Sequence, residues 1–170
     1  MLNKLFFLIG FAAIINYQEW QINNNFSVRF SDRYADGYFE NLSGRIVFDS
    51  THISNASFNV EVTTASINTG NKLKNKHAKS EKWLDAGRFP TISFISDSVY
   101  KSGSFYVRGD LRIKDITQKM IIPFKFTTQG DSAVFEGVFK IDRAAYGLGK
   151  STNDEKDSAT IWLRVPVTLK

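Results

Sequence analysis

Apolar side chains recur at every second position through almost the whole chain, and that period sharply limits the possible architectures. From Trp20 the even positions are apolar: Trp20, Ile22, Phe26, Val28 and Phe30. The pattern resumes with Leu42, Gly44, Ile46 and Phe48, and again with Ala56, Phe58, Val60 and Val62. Pro90 holds Phe89 extended, and Ile92 and Phe94 open a fourth run. The fifth run carries Phe105, Val107, Gly109, Leu111 and Ile113, and the sixth Met120, Ile122, Phe124 and Phe126. Ala133, Phe135, Gly137, Phe139 and Ile141 form the seventh; Ala159, Ile161, Leu163, Val165, Val167 and Leu169 form the last. A strand turns successive side chains to opposite faces, so each run is a strand with one inward face.

Polar, Gly-rich or Asp-rich stretches separate the runs: the region from Ser31 to Gly37, Asp49 to Asn55, Ser102-Gly103, Asp115 to Thr117, Gln129 to Ser132, and the long loop from Gly147 to Asp157. Pro123 sits on the outward face of the sixth run and suggests a sheet edge or bulge there. Eight strands joined mostly by short turns pair most simply in antiparallel sequence. The expected fold is all-β, an eight-stranded antiparallel barrel, because closure removes both open edges. Such a barrel just holds one slender ligand. A two-sheet sandwich satisfies the same alternation and is the alternative.

One segment breaks the period. Leu73, His77, Ser80 and Leu84 share a stripe at helical spacing, with Lys72, Lys74, Lys79 and Lys82 away from it. Asn71 is placed to cap the N-terminus, and Gly87 stands where a helix stop is expected. This amphipathic helix falls between strands three and four and is expected across the end or side of the barrel.

The chain has 170 residues, 42% hydrophobic, with no cysteine. That suits one domain with a real core and excludes disulfides, thiolate metal sites, a cysteine nucleophile and a lipidated leader. Lys4 followed by the apolar run Leu5–Ile15 reads as a secretory signal, too short to span a bilayer core of about 30 Å. The expected organisation is a signal peptide over 1–17, a barrel domain over 18–170, and a periplasmic or secreted location. The formal charge is +5, concentrated in Lys72, Lys74, Lys76, Lys79, Lys82 and Arg88. A solvated helix face explains this cluster, and so does attraction to anionic lipid or a phosphate head group. Nucleic acid is not an expected partner, because the aromatics sit in core alternation rather than among the basic residues.

Several segments resemble the YceI-like family of lipocalin-like polyisoprenoid-binding proteins. Ala65-Ser66-Ile67-Asn68-Thr69-Gly70 resembles the family's A-S-I-x-T segment before the helix. His77, Trp83-Leu84-Asp85 and Arg88-Phe89-Pro90-Thr91-Ile92-Ser93-Phe94 are similar to its H-x-x-S-x-x-[FW]-[FL]-D-x-x-x-[YF]-P-x-I-x-F signature. Gly109-Asp110-Leu111-Arg112-Ile113 with Ile116-Thr117, and Ile141-Asp142-Arg143 with Tyr146-Gly147, resemble G-D-L-T-I-x-G-V-T and I-x-R-x-x-[YF]-G. The chain departs from the family where Asn23-Asn24-Asn25-Phe26-Ser27 replaces D-x-x-H-S and where Asp115 replaces a turn glycine.

The resemblance implies an exported protein with an internal tunnel for a polyisoprenoid, either a polyprenyl phosphate or an isoprenoid quinone, held for transport, storage or sequestration. The implied ligand-binding wall comprises Ile22, Phe26, Val28, Ile46, Phe48, Phe58, Val60, Phe94, Phe105, Leu111, Met120, Ile122, Phe124, Phe135, Phe139, Ile161 and Leu163, with Trp83 from the signature segment. Arg143 and His77 are the candidates at the mouth: Arg143 for a phosphate or quinone oxygen, or else a structural salt bridge; His77 for a head group, or else helix packing. Alternation alone equally describes a solid Phe-rich core, which would make the domain an interaction module. An enzyme is the weakest reading. The two histidines have no metal-ligand spacing, and no nucleophile elbow or phosphate loop is present. No cofactor beyond a bound lipid is expected. Outward-facing Ile95, Ile121, Val134, Val138 and Trp162 are read as lying under the helix or marking a homodimer contact, and transient contact with a membrane surface is a further expected association.

Overall fold

The computed structural model describes residues 18–149 and 157–170. The expected leader at 1–17 lies outside the described residues. The ladder segments are β1 (Glu19–Ile22), β2 (Ser27–Ser31), β3 (Asp36–Phe39), β4 (Leu42–Val47), β5 (Ser57–Thr63), β6 (Ile67–Asn68), β7 (Thr91–Ser102), β8 (Ser104–Ile113), β9 (Ile116–Gln129), β10 (Ser132–Asp142) and β11 (Ser158–Leu169), with helix α1 (Lys72–Ala78) between β6 and β7.

These segments form eight staves. β1 and β2 are one interrupted stave, since both pair with β11, at Trp20↔Leu169 and Leu163↔Val28. β3 and β4 make the second stave, and β5 and β6 the third, joined by Phe39↔Ile67 and Leu42↔Val62. Because β11 pairs with β10 on one side and with β1 and β2 on the other, the sheet closes into an antiparallel barrel. Two expected boundaries move. Asp36 and Gly37 pair with Ser31 and Phe30 as strand, not turn. The first stave breaks at residues 23–26, which takes Phe26 off the ladder.

Alternation holds where the ladders are regular. On β8, Val107, Gly109, Leu111 and Ile113 are buried, and Arg108 and Arg112 are exposed. Gly109 is required there: a Cβ would run into the Ile95 carbonyl and the Phe94 ring. That close approach sits beside the register shift between Ser96 and Ser98 on β7.

Pro123 is not on an open edge, but it ends a ladder. β9 and β10 pair from Gln129↔Ser132 up to Phe124↔Gly137 and no further, while β9 stays paired with β8 to Ile116. Proline has no N–H to give β10, so the two strands part there. The 3-10 turn Ala144–Tyr146 spans the seam, with Gln118 Nε2 donating to the Ala145 carbonyl at 3.0 Å.

The end of the barrel far from α1 is closed by aromatic rings. Phe48 is fully buried, its ring 4.8–6.1 Å from those of Phe58, Phe105, Phe124, Phe126 and Phe135. Most of these contacts are edge-on, the favoured geometry. Trp20 packs on Phe126 at 5.4 Å and donates its indole N–H to the Phe48 carbonyl at 2.8 Å. Replacing Phe48 with alanine is expected to cost about 3–5 kcal/mol, read as a lower midpoint in urea denaturation.

Candidate functional site: an apolar cavity under the helix

Above the aromatic floor the barrel is not solid. A cavity of about 500 Å³ occupies its interior, within the usual range for small-molecule pockets. Its wall runs from Val107 to Ile113 on β8, from Phe135 to Ile141 on β10 and from Ala159 to Val165 on β11. Six residue steps at about 3.3 Å give a depth of roughly 20 Å along the strands. One bilayer leaflet has a hydrocarbon depth of about 15 Å, so the cavity is on the scale of a lipid tail. A solid core, left open by alternation, is not what the barrel encloses.

Most of the expected wall residues line this space. Ile22, Val28, Ile46, Phe58, Val60, Phe94, Leu111, Ile122, Phe124, Phe135, Phe139, Ile161, Leu163 and Trp83 do so, as do Arg143 and His77 at the mouth. Phe26, Phe48, Phe105 and Met120 do not. Phe48 and Phe105 belong to the floor, with ring centroids 5.2 Å apart. Phe26 lies in the break of the first stave. Met120 lies beyond Pro123, where β9 leaves β10, and packs against the core without joining the wall.

Other wall residues were not singled out. Phe30, Leu42, Ile92, Val107, Ile113, Ile141, Ala159 and Val165 stand on the same inward parity and were legible from it. Asp32, Tyr34, Phe39 and Leu148 come from turns or the added β3 segment and carry no periodic signal.

The mouth is built by three turns. Helix α1 begins as expected: Asn71 Oδ1 accepts from the Leu73 and Lys74 amides at 2.9 and 3.0 Å. It ends nine residues before Gly87, at Ala78. Ser80 Oγ donates back to the His77 carbonyl at 2.6 Å, a local bond that competes with helix continuation. Ser80 and Leu84 therefore do not extend a helical stripe. Leu84 is buried through a turn, its amide donating to the Ala78 carbonyl. Leu73, expected to face inward, is 62% exposed. His77 is also exposed and borders the opening. The following turn is tied to the far loop, where Gly149 donates to the Lys82 carbonyl and lies against the Trp83 ring.

Arg143 is buried at this rim, 3% exposed. Its Nε lies 3.2 Å from Asp32 Oδ2, and a terminal nitrogen lies 3.3 Å from Asp157 Oδ1. It also donates to the Leu148 carbonyl, and its guanidinium stacks over Tyr34 at 4.7 Å and Trp83 at 5.7 Å. The other oxygen of Asp32 accepts from the amides of Tyr34 and Ala35, fixing the turn that presents Tyr34. The structural salt bridge is thus real, and the same arginine faces the cavity. His52 lies elsewhere, exposed in a turn with Asp49. Ile95, Ile121, Val138 and Trp162 are exposed on the outer wall, not under α1; Val138 and Trp162 are cross-strand neighbours.

The YceI-like domain family matches residues 16–170. The chain belongs to the YceI-like family. A UPF0312 protein of Pseudomonas fluorescens is 31% identical over 138 residues, 71% of this chain and 70% of that relative. Protein YceI of Salmonella newport is 28% identical over 136 residues, 76% of this chain and 71% of the relative. Among solved structures, Burkholderia cenocepacia BcnA superposes with a TM-score of 0.82 at 23% identity, covering 87% of this chain and all of the other. A polyisoprenoid-binding domain from Saccharophagus degradans gives a TM-score of 0.65 at 9% identity, over 91% of this chain and 100% of that one. At these identities the two structures establish the shared YceI-like barrel fold.

Two changes at the rim have defined outcomes. Arg143→Ala removes the buried guanidinium that Asp32 and Asp157 share and is expected to cost about 3–5 kcal/mol in urea denaturation. Tyr146 is 2% exposed with its hydroxyl unpaired, and burial pushes its phenol up to about 12. The unfolded phenol titrates near 10, so the neutral group's contribution is intact below about pH 10 and is lost as pH rises toward 12. Tyr146→Phe is expected to hold or raise stability at neutral pH and to lose less of it between pH 10 and 12, read as paired denaturation midpoints.

Proposed function

We propose that this protein is an exported, non-enzymatic carrier or sequestering protein that holds a polyisoprenoid chain in the barrel cavity. The observation that carries this reading is the cavity itself: roughly 20 Å deep, apolar along its wall, sealed by rings below and bordered by polar side chains above. A carbon chain needs such a wall and no reactive group. At about 0.3 kcal/mol per heavy atom, a ligand of about 40 carbons reaches roughly nanomolar affinity through apolar contact alone. Membership of the YceI-like family supports the reading, and the likeness to a polyisoprenoid-binding domain is consistent with it.

The mouth accounts for a head group. Tyr34, Trp83 and His77 stand where a quinone ring or a prenyl phosphate would emerge. Arg143, held by Asp32 and Asp157, faces the cavity with its charge already matched, so it contributes polarity at the mouth rather than a free cation. The apolar run at residues 5–15 supports export to the periplasm or the medium.

Native mass spectrometry of gently purified protein, followed by lipid extraction, is expected to find a prenyl compound, or to find uptake after incubation with a long-chain quinone. Val60 lines the cavity between Gly44 and Phe94. Val60→Trp is expected to reduce quinone uptake by at least tenfold in a fluorescence-quenching titration while the barrel still melts cooperatively. Unchanged uptake in that variant would end the carrier reading.

A further inference from the structure

We propose that the α1 end of the barrel is a docking surface for an anionic lipid bilayer, with the lysines of α1 and the following turns against the head groups and Leu73 entering the interface. This deepens the carrier reading, on which its purpose rests, by naming the surface from which cargo enters the cavity.

Between Asn71 and Pro90 the chain places six cations and two carboxylates. Lys72, Lys74, Lys76, Lys82 and Arg88 are exposed, and Lys79 is half-buried. None of the six has an ion-pair partner among the described residues. Elsewhere some exposed charges are paired, while others, such as Arg29, Lys101, Lys125 and Lys140, are single cations spread over the wall rather than clustered. Glu19 takes Arg45 and Lys170; Asp97 takes Arg108 and Lys119; Glu136 takes Arg164. With six cations against two carboxylates in this stretch, the helix end presents a positive field that no ion pair among the described residues neutralises. Such a field is complementary to an anionic membrane surface.

Leu73 supplies a second, independent observation. It is the most exposed of the large apolar side chains among the described residues, and it stands between Lys72 and Lys74 on the same short helix. An apolar side chain among lysines suits the boundary between head groups and acyl chains. The location gives the contact a use: Lys74, His77 and Ala78 border the cavity, so a bilayer against α1 faces the opening.

Each lysine near an anionic surface is worth about a fivefold change in partitioning. The test is co-sedimentation of the host-processed protein with vesicles of mixed phosphatidylglycerol and phosphatidylcholine, and with vesicles of phosphatidylcholine alone. Binding is expected only to the mixed vesicles and is expected to weaken with added salt. The triple variant Lys72→Gln, Lys76→Gln, Lys82→Gln is expected to bind about a hundredfold more weakly, taking about fivefold per lysine. Leu73→Asp is expected to weaken binding as well. A control pair on the exposed wall, Lys125→Gln with Lys140→Gln, is expected to bind as the parent does. Quinone uptake in detergent is expected to be the same for the triple variant, which separates docking from cargo binding. Equal binding to both vesicle types, no vesicle binding, an equal loss in the control pair, or retention by heparin without vesicle binding would each overturn the proposal. Loss of quinone uptake in the parent protein would instead count against the carrier reading.

Discussion

The packing of six aromatic rings around Phe48, Trp20 among them through its bond to the Phe48 carbonyl, divides the barrel into two unlike halves. An eight-stranded barrel has an interior just wide enough for side chains to fill it. Here the rings fill it at one end, where Phe58, Phe105, Phe124, Phe126 and Phe135 surround Phe48, four of the five edge-on to it. Toward α1 the wall residues are mainly Val, Ile and Leu, and they leave a space. A floor of this kind lets the opposite end stay empty, because cohesion concentrated below offsets the contacts forgone above.

The rim is held by a different force. Arg143, Asp32 and Asp157 form a buried cluster that joins the turn after β2, the end of β10 and the start of β11. Stacking on Tyr34 and Trp83 brings in the turn after α1 as well. Four separate segments thus converge on one guanidinium, whose planar fork can satisfy several partners at once. The floor is held by apolar contact and the rim by buried ion pairs, which salt screens little.

Much of the fold was legible in the sequence because the barrel follows one strict rule. All eight alternating runs became staves, and Asn71 capped the helix. The failures occurred where local chemistry overrode periodicity. Ser80 turned its hydroxyl back on the helix and ended it short of Gly87, and Leu73 is exposed rather than facing inward. Asp36 and Gly37 have poor strand propensity and were read as turn, but ladder bonds to Phe30 and Ser31 hold them extended. Parity placed Phe48 and Phe105 inward correctly. It had no means of telling floor from wall, since position along the barrel axis is set by stagger between staves. Tyr34 and Asp32 escaped notice for a simpler reason: turn residues carry no period.

The end of the β9–β10 ladder at Pro123 leaves the upper part of one joint of the barrel wall without ladder bonds. Above Phe124↔Gly137 this joint is bridged, among the described residues, by Gln118 and a short turn. On this line the wall is held by a side-chain amide rather than by a ladder. A bulky end group passing the rim would strain the wall least along this line, in the manner of a ring cut through at one point.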